Sequence, residues 1–217
     1  MSPSDPEAAT VSRLRAELGA VDSAASQRLR AGLLARAEDE LLLDIAYATV
    51  DTPVGPYLLA ATEAGLVRLC LRSDLFETTL AELSEQISPR IFEAPSRLEA
   101  ARRQVVEYFE GRRRDFELPL DWRLSHGFGL QVRRALLEVG FGETASYLEL
   151  AEMSGRPRAA RAVGTAMARN PIPLIVPCHR VVRSDGSIGE YGGRPEMKEF
   201  LLRHEGALPA GRDRVGC

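Results

Sequence analysis

The stretch Tyr147-Leu-Glu-Leu-Ala-Glu-Met-Ser154-Gly155-Arg156-Pro157-Arg158-Ala-Ala160-Arg161-Ala162-Val-Gly164-Thr165-Ala-Met-Ala168 reads as helix, short turn, helix. Ser146 precedes it as a side-chain cap, and Glu149 completes a capping box, which predicts a first helix from about Tyr147 to Met153. Ser154 to Pro157 turns the chain, and Arg158 to Ala168 makes the second helix. This is the outline of a helix-turn-helix. The second helix is thin. Ala160, Ala162, Gly164 and Thr165 carry little side chain, while Arg161 projects near the start. Taken alone, such a helix reads as one packed closely into its own core. The functional reading is a helix slim enough for a DNA minor groove, which at about 6 Å excludes ordinary helices unless widened.

Upstream the pattern changes. Asp44 to Val50 alternates, Asp51 to Gly55 is turn-like, and Tyr57–Thr62 and Gly65–Leu71 read as further strands. Leu75 to Ile87 and Ser96 to Phe109 have helical periodicity, and Gly111 closes the second; Phe116 to Asp121 reads as a final edge strand. The expected fold is therefore an α/β N-terminal domain, a small sheet with helices, over residues 44–121. A mainly α C-terminal domain containing the helix-turn-helix follows over 122–217, with a further helix from Leu130 to Val139, and a helical extension over 1–43 precedes both. Cys70, inside an apolar strand pattern, reads as core packing.

Composition narrows the function classes. Of 217 residues 45% are hydrophobic and 27% charged, as in a globular protein, and no apolar run approaches the roughly 20 residues of a membrane span. The opening residues lack the basic patch and apolar core of a secretory signal, so a cytoplasmic protein is expected. Cys70, Cys178 and Cys217 are odd in number and widely spaced, which speaks against a disulfide framework; with three histidines and no finger-like spacing, no metal site is expected. The net charge of -3 hides an asymmetry: residues 122–217 carry 14 Lys+Arg against 10 Asp+Glu, the remainder 14 against 21. Arginine-rich surface suits phosphate.

Beyond the second helix, Asn170-Pro171 leads into the apolar, strand-like run Ile172 to Val176 and then Pro177-Cys178-His179-Arg180-Val181-Val182. A glycine-rich loop containing Tyr191 and Gly192 follows. Pro195 starts a helix whose expected buried stripe is Met197, Phe200, Leu201 and His204, and Gly206 ends it. Glu205, one turn beyond Leu201, can point inward. An isolated Cys-His pair is a poor signal, because a thiolate forms only where a base or a positive field lowers its pKa. A histidine oriented by an inward carboxylate would supply that base.

These residues resemble the O6-alkylguanine-DNA alkyltransferases. The likeness is close from Gly142-Glu-Thr-Ala-Ser-Tyr147 through Ala160-Arg-Ala-Val-Gly164, Asn170-Pro171 and Pro177-Cys-His-Arg-Val-Val182 to Tyr191-Gly-Gly193 and His204-Glu-Gly206, and weaker at Thr52-Pro-Val-Gly55 and Tyr108 to Asp121. The resemblance implies DNA repair by direct reversal, with an alkyl group passing irreversibly from O6 of guanine, or O4 of thymine, to Cys178. It implies His179 as the base acting through a water, Glu205 as its orienter and Asn170 as support for the loop. Tyr147 would act as a donor to the departing base, and Arg161 as the side chain that fills the gap of a flipped nucleotide. The thin face of Ala160, Ala162, Gly164 and Thr165 would lie against DNA, and Val181, Tyr191 and Gly192 would border the base pocket. No cofactor is implied, since the alkylated base is itself the donor, and the partner is double-stranded DNA bearing O6-alkylguanine, met by a monomer. Arg133 stands where the family usually has Trp, a departure expected to concern packing alone. Three other readings compete: a non-catalytic binder of alkylated DNA, whose known relatives lack the cysteine; an alkylation-responsive regulator, which would carry a cysteine-rich zinc domain; and a cysteine hydrolase, which would leave the thin helix without a purpose.

Overall fold

The computed structural model describes residues 28–29, 32, 43–189, 191 and 195–208. Apart from Arg28, Leu29 and Gly32, which are helical, and Leu43, the expected N-terminal extension lies outside the described residues, as do Gly192 and Cys217. From Asp44 onward the chain forms one compact unit. Its sheet has the order β3-β2-β1-β4, built from β1 (Ile45–Val50), β2 (Tyr57–Thr62), β3 (Gly65–Cys70) and β4 (Ile91–Glu93). The first three strands meander antiparallel, whereas β4 runs parallel to β1 through only three residue pairs. β4 was not expected, being too short to show a period. The turn between β1 and β2 is held by Thr52, whose Oγ1 donates to the Gly55 carbonyl at 2.6 Å, with Gly55 at φ 109°. Against this sheet lie α1 (Phe76–Gln86) and α2 (Glu99–Phe109), and Leu83 of α1 joins Ile45, Ala60 and Val67 in one core.

The expected edge strand Phe116–Asp121 is corrected to a single bridge between Leu66 and Leu120. Pro119 has no N–H to give a ladder. Further along, the buried Gln104 side chain takes the place of a neighbouring strand, donating to the Glu117 carbonyl at 3.1 Å and accepting from its N–H at 2.8 Å. Gly65 is required here: at φ 135°, an added Cβ would fall 2.2 Å from the Pro119 oxygen.

The second half is helical, as expected. α3 (Gly127–Leu136) starts and stops earlier than the anticipated Leu130–Val139, because three successive i→i+3 bonds, from the N–H groups of Leu137, Glu138 and Val139, tighten its end into a 3-10 turn. α4 (Tyr147–Met153) carries the full capping box, Glu149 N–H to Ser146 Oγ at 3.1 Å and Ser146 N–H to Glu149 Oε2 at 2.7 Å. α5 (Ala160–Ala168) follows the Gly155 turn and buries only Val163 and Ala166. Two residues ahead of α4, β5 (Ala145–Ser146), pair in parallel with β6 (Val181–Val182), so the start of the helix-turn-helix is tied to the chain leaving Cys178.

Two local expectations fail. Ile172–Val176 is no strand but a closed turn, with the Val176 N–H donating to the Ile172 carbonyl at 2.9 Å and Leu174 buried in the left-handed region at φ 75°. That conformation costs a non-glycine residue roughly 1–2 kcal/mol and persists because Leu174 is packed and the turn is bonded from outside. On α6 (Pro195–His204), Phe200 is 37% exposed, while Lys198 and Leu202 join Met197 and Leu201 on the buried side.

Candidate active site

Cys178 opens a 3-10 turn, Cys178–Arg180, between Pro177 and β6. Cys178 lines a cavity of about 300 Å³ bounded by Tyr147, Gly164, Met167, Asn170 and Tyr191 from the helical half and by the end of β3 from the sheet. Asn170 is the staple of this loop. Its Nδ2 donates to the Val176 carbonyl at 2.8 Å and to Cys178 Sγ at 3.1 Å, while its Oδ1 accepts from the Ile172 N–H at 3.2 Å. The turn at Ile172–Val176 and the aim of the sulfur are thus fixed by one amide.

Behind Cys178 lies a buried polar cluster. His179 is fully buried, with Nε2 2.8 Å from Glu205 Oε1. Glu205 does point inward. Tyr108 donates its hydroxyl to Oε1 at 2.7 Å, Arg180 gives Nε to Oε2 at 2.8 Å and Nη2 to Oε1 at 3.0 Å, and the Gly142 N–H reaches Oε2 at 3.3 Å. Burial alone would raise the Glu205 pKa, but bonds from His179 and Arg180 outweigh it and bring it down to about 2. The carboxylate is therefore charged. Burial lowers the His179 pKa, against the opposing pull of Glu205 and with the help of the Arg180 and Lys198 charges, so the imidazole rests neutral. In that state Nε2–H donates to Glu205, and Nδ1, which has no hydrogen-bond partner among the described residues, keeps its lone pair.

Burial likewise raises the Cys178 pKa, opposed by the Asn170 hydrogen bond and the Lys198 charge. The resting pair is accordingly thiol and neutral imidazole. A base must take the proton as attack begins, and a high-pKa sulfur is the stronger nucleophile once it has lost it. Lys198, the single lysine of the chain, is wholly buried and donates through Nζ to the Val181 carbonyl. Val181 itself is buried and borders this network rather than the cavity. Tyr191 packs edge-on against His179, centroids 6.3 Å apart at 89°. Tyr147, first residue of α4, lines the cavity, and a Cβ on Gly189 would come 3.6 Å from its hydroxyl.

The outer face of α5 is open. Arg161, Ala162 and Thr165 are exposed, Ala160 and Gly164 half-buried, and the Arg161 guanidinium makes no ion pair among the described residues. The structure thus brings Cys178, Asn170, Tyr147 and Tyr191 to one cavity, sets His179 and Glu205 behind the sulfur and leaves Arg161 outside. Tyr108, Arg180 and Lys198 are functional neighbours the sequence reading did not single out.

A family model described as "6-O-methylguanine DNA methyltransferase, DNA binding domain" matches residues 127–207, and one described as the "ribonuclease-like domain" of the same proteins matches 45–122. The chain belongs to the O6-alkylguanine-DNA alkyltransferase family. It is 40% identical over 161 residues to the methylated-DNA–protein-cysteine methyltransferase of Mycolicibacterium paratuberculosis, covering 74% of this chain and 92% of that one. To the mouse protein of the same name it is 40% identical over 178 residues, with 76% and 83% covered. The fold of this alkyltransferase matches that of Mycobacterium tuberculosis OGT in a crystal structure of its complex with DNA, at TM-score 0.63 and 37% identity over 75% of this chain and 93% of that one. Among the described residues no helix is long and apolar enough to cross a membrane, and no group of three or more His, Cys, Asp or Glu residues could hold a metal.

Proposed function

We infer that this protein repairs alkylated DNA by direct reversal, moving the alkyl group from O6 of guanine to Cys178 in a single irreversible turnover. The observation that carries the reading is the buried His179–Glu205 pair set behind a cysteine that lines a base-sized cavity. Guanine enters that cavity only when rotated out of the duplex, because a stacked base is unreachable. The exposed, slender face of α5 supports docking in the minor groove, with Arg161 entering the stack in place of the departed base.

In the transfer step Sγ attacks the alkyl carbon opposite O6; the S–C bond forms as the C–O6 bond breaks. The thiol proton passes, through a bridging water, to Nδ1 of His179, and the charge of Glu205 stabilises the imidazolium. Tyr147 donates a proton or hydrogen bond to the base, which makes guanine a better leaving group. The proton lost from sulfur balances the one gained by guanine, so no other reactant is consumed. The thioether product has no bond that this His–Glu pair can hydrolyse, which makes the reaction stoichiometric. We propose a monomer working on double-stranded DNA in the cytoplasm.

The test is a titration of duplex DNA carrying O6-methylguanine against wild type and Cys178→Ala. The expected result is one guanine restored per wild-type molecule and none for the variant, with Arg161→Ala slowed on duplex. Lesion binding without restoration would instead establish a non-catalytic binder, and continued turnover on esters or peptides a hydrolase.

A further inference from the structure

Arg133 sits in the last turn of α3 and is only 4% exposed. A buried guanidinium is ordinarily matched by a carboxylate, yet among the described residues none pairs with it. Its Nη2 donates instead to the carbonyl of Ala166 at 3.1 Å and to that of Arg169 at 2.7 Å, two oxygens left without helical partners at the end of α5. The Arg169 carbonyl belongs to the peptide that leads directly into Asn170, and Asn170 holds Cys178 Sγ. Two hydrogen bonds and one residue therefore separate this cation from the nucleophile. Gly129, one turn earlier on α3, leaves room for it: an added Cβ there would lie 3.1 Å from Arg133 Nη1. The expectation that Arg133 concerns packing alone does not survive this placement, for an apolar side chain could fill the space but could neither donate to the two carbonyls nor carry charge.

We propose that Arg133 is a positioning residue for alkyl transfer: its buried guanidinium clamps the end of the recognition helix to the Asn170 loop and stands as an unmatched positive charge near Cys178. The proposal rests on the transfer reading given above. Burial weakens the hold of Arg133 on its proton, and a thiolate at Cys178 is the charge that strengthens it. Reciprocally, Arg133 favours that thiolate as it forms. The other titratable and charged groups around Cys178 are His179 of its own turn with Glu205 and Arg180 behind it, Tyr147 from α4, Tyr191 from the loop, Lys198 from α6, and Arg68, Cys70 and Arg72 at and just beyond the end of β3 across the cavity. Arg133 bonds the carbonyls at the end of α5, so it links the helix that meets DNA to the atom that reacts.

The experiment measures the rate of alkyl transfer from free O6-benzylguanine against pH, with a thermal melt of each protein. Wild type is compared with Arg133→Lys, which keeps the charge, and Arg133→Met, which keeps the length. Arg133→Met should be roughly five- to tenfold slower near neutrality, with the midpoint of its pH profile moved upward, and Arg133→Lys should recover most of the rate with a midpoint near wild type. A purely structural role would lower the melting temperature and leave the midpoint of Arg133→Met where wild type has it, and that result overturns the proposal. So would equal shifts in the Lys and Met variants. Should Arg133→Met not fold, Arg133→Gln, which retains donors for the two carbonyls without the charge, gives the same comparison. Failure of wild type to transfer at all would instead overturn the transfer reading.

Discussion

Cys70 and Cys178 are 8% and 7% exposed and line the same cavity, one at the end of β3 and one at the head of the 3-10 turn. At Cys178 burial disfavours the anion. What separates the two is their partners. Cys70 donates its proton to the Arg72 carbonyl at 3.3 Å, within its own loop. Cys178 receives a hydrogen bond from Asn170, feels the buried Lys198 and has a neutral imidazole next in sequence, backed by a charged carboxylate. Burial supplies a dry site, and the surrounding donors and base decide which sulfur in it reacts.

The strongest way to break this contrast is to remove each sulfur. Cys178→Ala should abolish transfer from methylated duplex, whereas Cys70→Ala should retain it within about twofold and lose only about 1–2 kcal/mol of stability, the usual range for trimming one buried atom; single-turnover repair and urea melts give both numbers. Next in size is Glu205→Gln. It leaves the Arg180 charge buried without its partner and the His179 imidazolium without a counter-charge, so transfer to the free base should slow about a hundredfold and stability fall by about 3–5 kcal/mol. Arg161→Ala sharpens the contrast between site and surface. Rates on duplex should fall about tenfold while those with free O6-benzylguanine hold, since in the proposed role the exposed guanidinium acts on DNA and not on sulfur; equal losses on both substrates would overturn that proposal.

The smallest effect is on pH-dependent stability. His179 has its pKa lowered on folding, so its contribution is present above its ordinary value of 6.5 and lost as pH falls below it. Glu205, held down to about 2, contributes above 4.5 and loses that contribution as acid approaches its folded value. Melting temperature should therefore be flat between about pH 7 and 8, start to fall as pH drops below 6.5 through His179, and fall further below 4.5 through Glu205. In His179→Gln the first decline should disappear while the second stays.

Much of this was legible in the sequence, and for local reasons. The capping box at Ser146 and Glu149, the Gly155 turn and the periodicity of α1 and α2 are short-range signals, and they appear in place. Glu205 could be aimed inward from its spacing to Leu201. What escaped depends on contacts between distant segments. Ile172–Val176 has the composition of a strand, but the Asn170 amide closes it into a turn with Leu174 in a disfavoured conformation. Phe116–Asp121 alternates like a strand, but Gln104 satisfies part of its backbone from a helix. Tyr108 falls on the buried side of α2 with Ala101 and Val105, and no local signal shows that its hydroxyl ends on Glu205. One signal was available and unused: in a chain whose other cations are all arginine, the single lysine falls within the apolar stripe of a helix, where an exposed role is excluded.

The account turns on a claim that one of two equally buried thiols accepts the alkyl group because of what surrounds it. Native protein carrying both cysteines, allowed to react to completion with O6-benzylguanine and then mapped peptide by peptide, measures this directly. The expected outcome is one benzyl group per molecule, all of it on the Cys178 peptide, with Cys70 unmodified. Benzyl shared between the two cysteines, or found on Cys70 alone, would contradict it.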